Sequence, residues 1–477
     1  MSFIEGLGRE QQVMFPEVLD DYVAEGNAVR FIDAFVESLK VGELGFERAV
    51  AAETGRPGYD PKDLLALYIY GYLYGIRSSR KLEREAHRNV ELMWLLRRLR
   101  PDFKTIADFR RDNKDALRRV CRQFTLLCKR MDLFGAELVA IDGSKFRAVN
   151  SRQRSFPRKR LEEMVAGIDR RIEGYLEQLD EQDEAEGCSG PGEGEELKGR
   201  IAGLREKSAE CRAMLEQLDR TGDNEISLTD PDSRRMPVGA STEVGYNAQI
   251  AVDAKHDLIL AEDVINTPSD RHSLSPMAKE AQEVLEVEGL KVVADRGYTN
   301  AQQIKQCQEA GIVPYVDRPK NSRNYKLGLF TKEDFLYDPD KDSYRCPSGE
   351  ELAFRYETPD RARPGRLLRY YYTEACPECP LRARCTRSNR RRIQRTADEH
   401  LVDQMQARIA ANRAILWRRK AIVEHPFGTL KRWMGYDHFL MRGLQSVKAE
   451  FSLAVLSYNL KRVIAILGVP RMIAAIA

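Results

Sequence analysis

The chain has 477 residues, 42% hydrophobic and 32% charged, a balance that excludes a disordered or fibrous protein and provides for a sizeable core. A single core usually stops growing below this length, so two or three structural units are expected. The formal charge of +3 neither demands nor excludes a nucleic-acid partner, and local clusters of charge must decide.

The opening MSFIEGLGREQQ lacks the basic, apolar and small-residue regions of a signal peptide. The most apolar C-terminal run, FSLAVLSYNLKRVIAILGV, is broken by Lys461 and Arg462 and makes a poor membrane span. A cytoplasmic protein without membrane contact is expected. Nine cysteines are too few for a disulfide scaffold in so long a chain, which directs attention to metal binding where they cluster.

Residues 1–132 read as a helical unit and a candidate for DNA binding. PKDLLALYIYGYLYG, from Pro61 to Gly75, opens on a proline suited to a first turn and is apolar nearly all round, as a helix buried on several sides would be. A long helix is expected from Thr105, with Leu117, Val120, Phe124 and Leu127 on a packed stripe. Its cations, Arg110, Arg111, Lys114, Arg118, Arg119, Arg122, Lys129 and Arg130, read either as a phosphate-contacting face or as a solvated one.

The grammar then changes. GAELVAIDGSKFRA, 135–148, is an apolar strand that stops on Asp142. Residues 156–224 form an insertion: Leu161, Val165, Ile168, Ile172, Tyr175 and Leu179 follow a heptad rhythm, which resumes from Leu197 to Leu218. An antiparallel helical hairpin is expected, with an acidic, mobile tip over Asp180 to Glu196. Strands are expected at 246–253 and 258–265, a helix at 273–286, the strand KVVADRGY ending on Asp295, a helix at 300–311 and a strand at 312–316. Segments 133–155 and 225–316 thus form one α/β core, and ligands of open α/β sheets bind beyond the carboxyl ends of strands. Residues 317–400 read as an irregular, basic, cysteine-rich insertion. Residues 401–477 read as helices that complete the core.

Two aspartates ending apolar strands suggest a cation site, because neighbouring carboxylates are costly unless a cation or proton neutralises them. Glu424, in the apolar helical context AIVEHPFGTLKRWMG, is the best third candidate. Carboxylates select Mg2+ or Mn2+, and a pair of such ions can hold the attacking and leaving oxygens of a phosphodiester displacement. Each residue alone has a plainer reading: a strand-end Asp as a turn former, a helical Glu as surface.

GYDPKDLLALYIYGYLYGIRSSRKLE, AIDGSKFRA, GYNAQIAVD, VVADRGY and the final Glu-Lys element occur in that order over most of the chain. Together they resemble the DDE transposases of bacterial insertion sequences, in the IS-four superfamily near its IS-eleven-eighty-two branch. The resemblance implies an RNase H-like mixed-sheet catalytic domain, with Asp142, Asp295 and Glu424 as a triad holding two Mg2+ or Mn2+ ions. It implies cutting of double-stranded DNA at terminal inverted repeats and joining of the 3′-hydroxyl ends to target DNA, by a homodimer associated with the bacterial nucleoid. The family spacing Tyr-x2-Arg-x3-Glu-x6-Lys falls on Trp417, Lys420 and Lys431. Lysine lacks arginine's planar fork, so the phosphate contact at 420 is a weaker inference than that at 431. Lys431, seven residues after Glu424, is expected on the same helix face, where it would hold a DNA-end phosphate; the plainer reading is a solvated helix end. Trp417, Trp433 and Tyr298 are candidate base stackers or simply buried aromatics.

Cys346, Cys376, Cys379 and Cys385 offer four soft ligands for a structural zinc, against unliganded thiols or a redox pair. Arg361, Arg363, Arg366, Arg369, Arg390 to Arg392 and Arg395 make this insertion a second candidate DNA contact. The six histidines show no ligand spacing, and His425, next to Glu424, is the one that invites a test; the plainer reading is a neighbour that points away. Two other functions share these features: a catalytically inactive, transposase-derived DNA-binding regulator, and a metal-dependent nuclease without strand transfer.

Overall fold

The computed structural model describes residues 18–50, 58–149, 154–184, 193–239, 241–318, 323–360 and 367–476. The opening stretch read for a signal peptide, residues 185–192 of the acidic tip, and Arg361, Arg363 and Arg366 lie outside the described residues.

The N-terminal unit contains α1 (Ala28–Ser38), α2 (Pro61–Leu73), α3 (Ser79–Arg88), α4 (Val90–Leu95), α5 (Phe103–Asp112) and α6 (Lys114–Arg130). Asp60 caps α2 by accepting from the Lys62 N–H at 2.8 Å, and every residue from Leu64 to Leu73 is buried. The single helix expected from Thr105 is two. Asn113 leaves the helical conformation between α5 and α6, and its side chain donates to the Phe109 carbonyl at 2.9 Å and accepts from the Glu47 N–H at 2.6 Å. Half of the cations of the expected basic face are engaged within the chain. Arg111 pairs with Asp108 and Asp112, Lys129 with Glu286 at 2.7 Å and Arg122 with Glu283 at 3.8 Å, while Arg110 lies over the Tyr68 ring.

Next come β1 (Leu138–Arg147), β2 (Ser155–Pro157), α7 (Arg158–Glu184), α8 (Glu193–Thr221), β3 (Glu225–Ser227), β4 (Arg234–Val238), β5 (Ser241–Asp253), β6 (Ile259–Ile265), α9 (Leu274–Leu285), β7 (Lys291–Ala294), α10 (Ala301–Glu309) and β8 (Val313–Val316). The main sheet runs β6, β5, β1, β7, β8, and β4 pairs with the opening of β5. It is mixed: β5 is antiparallel to β1 and β6, whereas β1, β7 and β8 are parallel. Parallel neighbours need crossover connections, which α9 and α10 supply. Helices α7 and α8 pack on each other, rooted by the β2–β3 pair and the buried Leu161, Cys211, Leu218 and Ile226; Arg212 and Ser208 both reach Asp169 across the pair.

The cysteine-rich segment is not irregular. After α11 (Arg323–Lys326) it forms β9 (Leu336–Asp338), β10 (Ser343–Arg345), β11 (Glu351–Pro359), β12 (Leu367–Tyr372), α12 (Arg382–Cys385) and β13 (Ile393–Thr396), an antiparallel sheet ordered β13, β12, β11, β10, β9. Its buried core is Phe335, Tyr344, Leu352, Tyr371 and Ile393. So few inward side chains on short strands leave almost no alternation to read in the sequence.

The chain closes with α13 (Glu399–Ala411), α14 (Ala414–Gly428), a π-helical turn at Thr429–Trp433, α15 (Leu444–Leu467) and α16 (Val469–Ala474). The apolar run questioned as a membrane span is the buried α15, which packs on α2, α6 and β6. No helix among the described residues is long and apolar enough to cross a membrane. Glu450 of α15 joins the two ends of the chain. Its buried carboxylate accepts from the backbone N–H groups of Leu440 and Met441 and lies 3.6 Å from Arg77, which itself donates to the carbonyls of Gly435 and His438.

Candidate metal centre

The sheet register places the two strand-end aspartates abreast. Ile141 of β1 pairs with Ala294 of β7 in parallel, so the next residues, Asp142 and Asp295, leave neighbouring strands at the same level. Strands so paired lie about 4.8 Å apart. Asp142 takes the N–H of Gly143 on one carboxylate oxygen at 2.9 Å, and Asp295 takes that of Gly297 at 2.7 Å. Burial pushes the Asp142 carboxyl up to about 6; Arg419 opposes this, and Asp295 and Asp270 add to it.

Asp270 was not singled out from the sequence. It comes from the loop after β6 and accepts from Asn247 Nδ2 at 2.6 Å and Gln249 Nε2 at 2.8 Å, with Lys145 Nζ at 3.4 Å. Asn247 and Gln249 alternate along β5 and so share a face. Gln249 in turn accepts from the hydroxyl of the fully buried Tyr298. Two glycines make room for this group. A Cβ at Gly143 would stand 2.2 Å from Gln249 Nε2 and 2.8 Å from Asp270 Oδ1, and one at Gly297 would stand 2.9 Å from Asp295 Oδ1 and 3.6 Å from Asp270 Oδ2.

Helix α14 crosses the main sheet near β1 and β7. It presents Arg419, whose Nη1 lies 2.9 Å from Asp142 Oδ2. Glu424 follows five residues later, about 140° around an α-helix, and therefore cannot share that direction. It is exposed and pairs with Lys420 at 3.5 Å. Among the described residues no three His, Cys, Asp or Glu side chains are close enough as they stand to hold a metal ion. The structure thus brings Asp142 and Asp295 together and leaves Glu424 on the solvent face of α14 with Lys420 and Trp417, the latter 80% exposed.

Lys431 departs from its expected position. The π-helical turn at Thr429–Trp433 changes the helix register, and Lys431 turns inward, donating to Ser144 Oγ at 2.6 Å and the Lys145 carbonyl at 2.7 Å beneath the Phe146 ring. Burial draws its ammonium down to about 8. Of the three candidate stackers, Trp417 and Trp433 are exposed and Tyr298 is buried. His425 Nδ1 bonds the Tyr458 hydroxyl at 3.0 Å rather than Glu424.

The four cysteines line one small cavity of about 20 Å³ with Phe335, Leu352 and Arg391. Arg369, Arg390 and Arg395 have acidic partners in Asp342, Glu374 and Asp403. A larger cavity of about 700 Å³ lies between Arg271, Thr299 and Asn300 on one wall and Phe330 to Asp334 with Arg384 on another; Asp142, Asp270 and Asp295 do not line it.

Residues 345–464 match the family described as "Transposase DDE domain", and residues 17–112 match "Transposase domain (DUF772)". These matches support a DDE transposase. No curated protein matches the chain. Among solved structures, the cryo-EM structure of a piggyBac transposase synaptic complex with hairpin DNA aligns at 9% identity and a TM-score of 0.32, over 94% of this chain and 79% of that one.

A DDE domain implies dependence on a divalent metal. The donor set beside Asp142 suits one: hard carboxylate oxygens, side-chain amides that fix Asp270, and two glycines whose missing Cβ atoms let these side chains approach the strand ends.

Proposed function

We propose that this chain is a metal-dependent DNA transposase that cuts at the ends of its element and joins the freed 3′-hydroxyl to target DNA. The observation that carries this reading is the register of Asp142 with Asp295 on parallel strands, in a chain whose two ends match transposase families. The order β6, β5, β1, β7, β8, with an antiparallel first half and a parallel second half, supports an RNase H-like catalytic core. Mg2+ or Mn2+, when bound, would polarise the phosphodiester and lower the pKa of the attacking water.

Asp142 and Asp295 would hold the cations from rigid strand ends. Glu424, on the same exposed stripe as Trp417 and Lys420, would be the third ligand, in place of the cation that Arg419 now supplies to Asp142. Trp417 and Lys420 then face DNA, one as an apolar platform and the other as a phosphate cation. The cavity that Arg271, Arg318, Lys332 and Arg384 line together with Glu333, Asp334 and Glu399 lies against the cysteine-rich segment and would be a second place for DNA to approach. Zinc on Cys346, Cys376, Cys379 and Cys385 would brace that sheet, whose core is small.

Purified protein with Mg2+ is expected to nick DNA carrying the element's terminal sequence. Asp295→Asn should remove nicking while DNA affinity stays within about threefold, since neutralising one ligand leaves the basic surfaces intact. Nicking by the variant at the wild-type rate would refute the assignment. Loss of strand joining with cleavage retained in the wild type would favour a nuclease.

A further inference from the structure

Three carboxylates and two cations meet at the strand ends. Asp142 has Arg419, whereas Asp270 has Lys145, whose side chain is only 17% exposed and which also feels Asp142 and Asp295. Asp270 has an unusual setting for a loop residue. Two amides on one face of β5 hold it, one of them clamped from behind by Tyr298. It thereby links β1 through Lys145, β5 through Asn247 and Gln249, and the turn after Asp295 through Gln249 and Tyr298. Its oxygens lie close to both Gly143 and Gly297, the residues that follow the two aspartates by one and two positions. A cap needs none of this support; a charge that must stay in place beside other charges does.

We propose that Asp270 is a positioning residue of the centre, an anionic support that holds Lys145 and sets the charge felt by a cation at Asp142 and Asp295. Lys145 is its counterweight. In the metal-free chain the ammonium occupies part of the field that a divalent cation would neutralise. The inference rests on the metal-dependent reading above, and adds to it a pair of residues with opposite effects on cation affinity.

The test is a calorimetric titration of the full chain with Mn2+ in the absence of DNA, alongside thermal unfolding. Asp270→Asn should weaken Mn2+ binding about tenfold. Lys145→Met should tighten it by about threefold or more, because a competing cation is gone. The double variant should return toward the wild-type affinity, and Asp270→Glu should recover most of what Asp270→Asn loses. A purely structural role predicts weakening in both single variants, or no change in either, and each result would overturn the proposal. Should Asp270→Asn fail to fold, the sign of the Lys145→Met effect decides alone. Wild-type protein that binds no Mn2+ would overturn the metal-dependent reading and this inference together. Loss of binding in Asp142→Asn, with Asp270→Asn and Lys145→Met unchanged, would overturn this inference only.

Discussion

Arg419 lays its guanidinium on Asp142, with Nη1 2.9 Å from Oδ2 and both side chains largely covered. The contact ties α14 to β1 and gives Asp142 a cation without a metal. It also turns Glu424 away, because one helix cannot aim both residues at the same strand. Breaking a covered ion pair from one side leaves a charge without its partner, so Arg419→Ala should lower stability by about 2 kcal/mol, measured by denaturant unfolding. The same variant should bind Mn2+ several-fold more tightly, because metal no longer competes with the guanidinium. Weaker Mn2+ binding in Arg419→Ala would count against the exchange of Arg419 for metal.

Gly143 has its own consequence. A methyl group there would overlap Gln249 Nε2 and press on Asp270. Since β1 and β5 are both central strands, neither can withdraw cheaply. Gly143→Ala is expected to cost about 1–3 kcal/mol and to reduce DNA cleavage by about a hundredfold, through displacement of the strand-end carboxylates. Unfolding curves and initial cleavage rates separate the two effects. A variant that is stable and fully active would show that the crowding relaxes harmlessly.

Away from the centre, Glu262 of β6 faces Arg118 and Cys121 of α6, Glu280 of α9 and Ser452 of α15, and burial pushes its carboxyl up to about 7. A carboxyl raised in the folded state contributes stability that is complete below its ordinary value of 4.5 and is lost as pH rises through about 7. Glu262→Gln removes this titration. Its stability relative to wild type should therefore improve between about pH 5 and about pH 8, by on the order of 2 kcal/mol. A difference that stays flat with pH would mean that Glu262 is ionised without penalty.

The main sheet and its two strand-end aspartates were legible because each aspartate ends an apolar run, Leu138 to Ile141 before Asp142 and Val292 to Ala294 before Asp295. Asp270 was not legible. It sits in the polar stretch Asn266 to His272, reads as an ordinary helix approach, and reaches the centre through side-chain hydrogen bonds that no periodicity records. Lys431 was legible as a cation of this helix but not in its contacts: it lies in the π-helical turn and donates to Ser144 and the Lys145 carbonyl, which no spacing records. The break at Asn113 is of the same kind, since an apolar stripe on both sides hides a change of direction between them.

Cys346, Cys376, Cys379 and Cys385 carry a separate expectation. Closing four thiolates around zinc would stabilise a sheet whose buried core is five side chains. Elemental analysis of the purified chain should find about one zinc per chain, and Co2+ exchange should give the absorption of tetrahedral thiolate coordination. Metal removal should make the cysteine-rich segment sensitive to protease while β1 and β7 stay protected. Protein purified without zinc, and unchanged by adding it, would leave these cysteines as packed thiols.

The most direct test of the central claim is a strand-transfer assay with a labelled fragment that carries the element's terminal sequence and an unlabelled plasmid. Wild-type protein with Mg2+ should join the label covalently to the plasmid through the fragment's 3′ end. The product should vanish with chelator, with Asp142→Asn and with Asp295→Asn. Joining that survives in either aspartate variant, or that proceeds without divalent metal, would contradict the account.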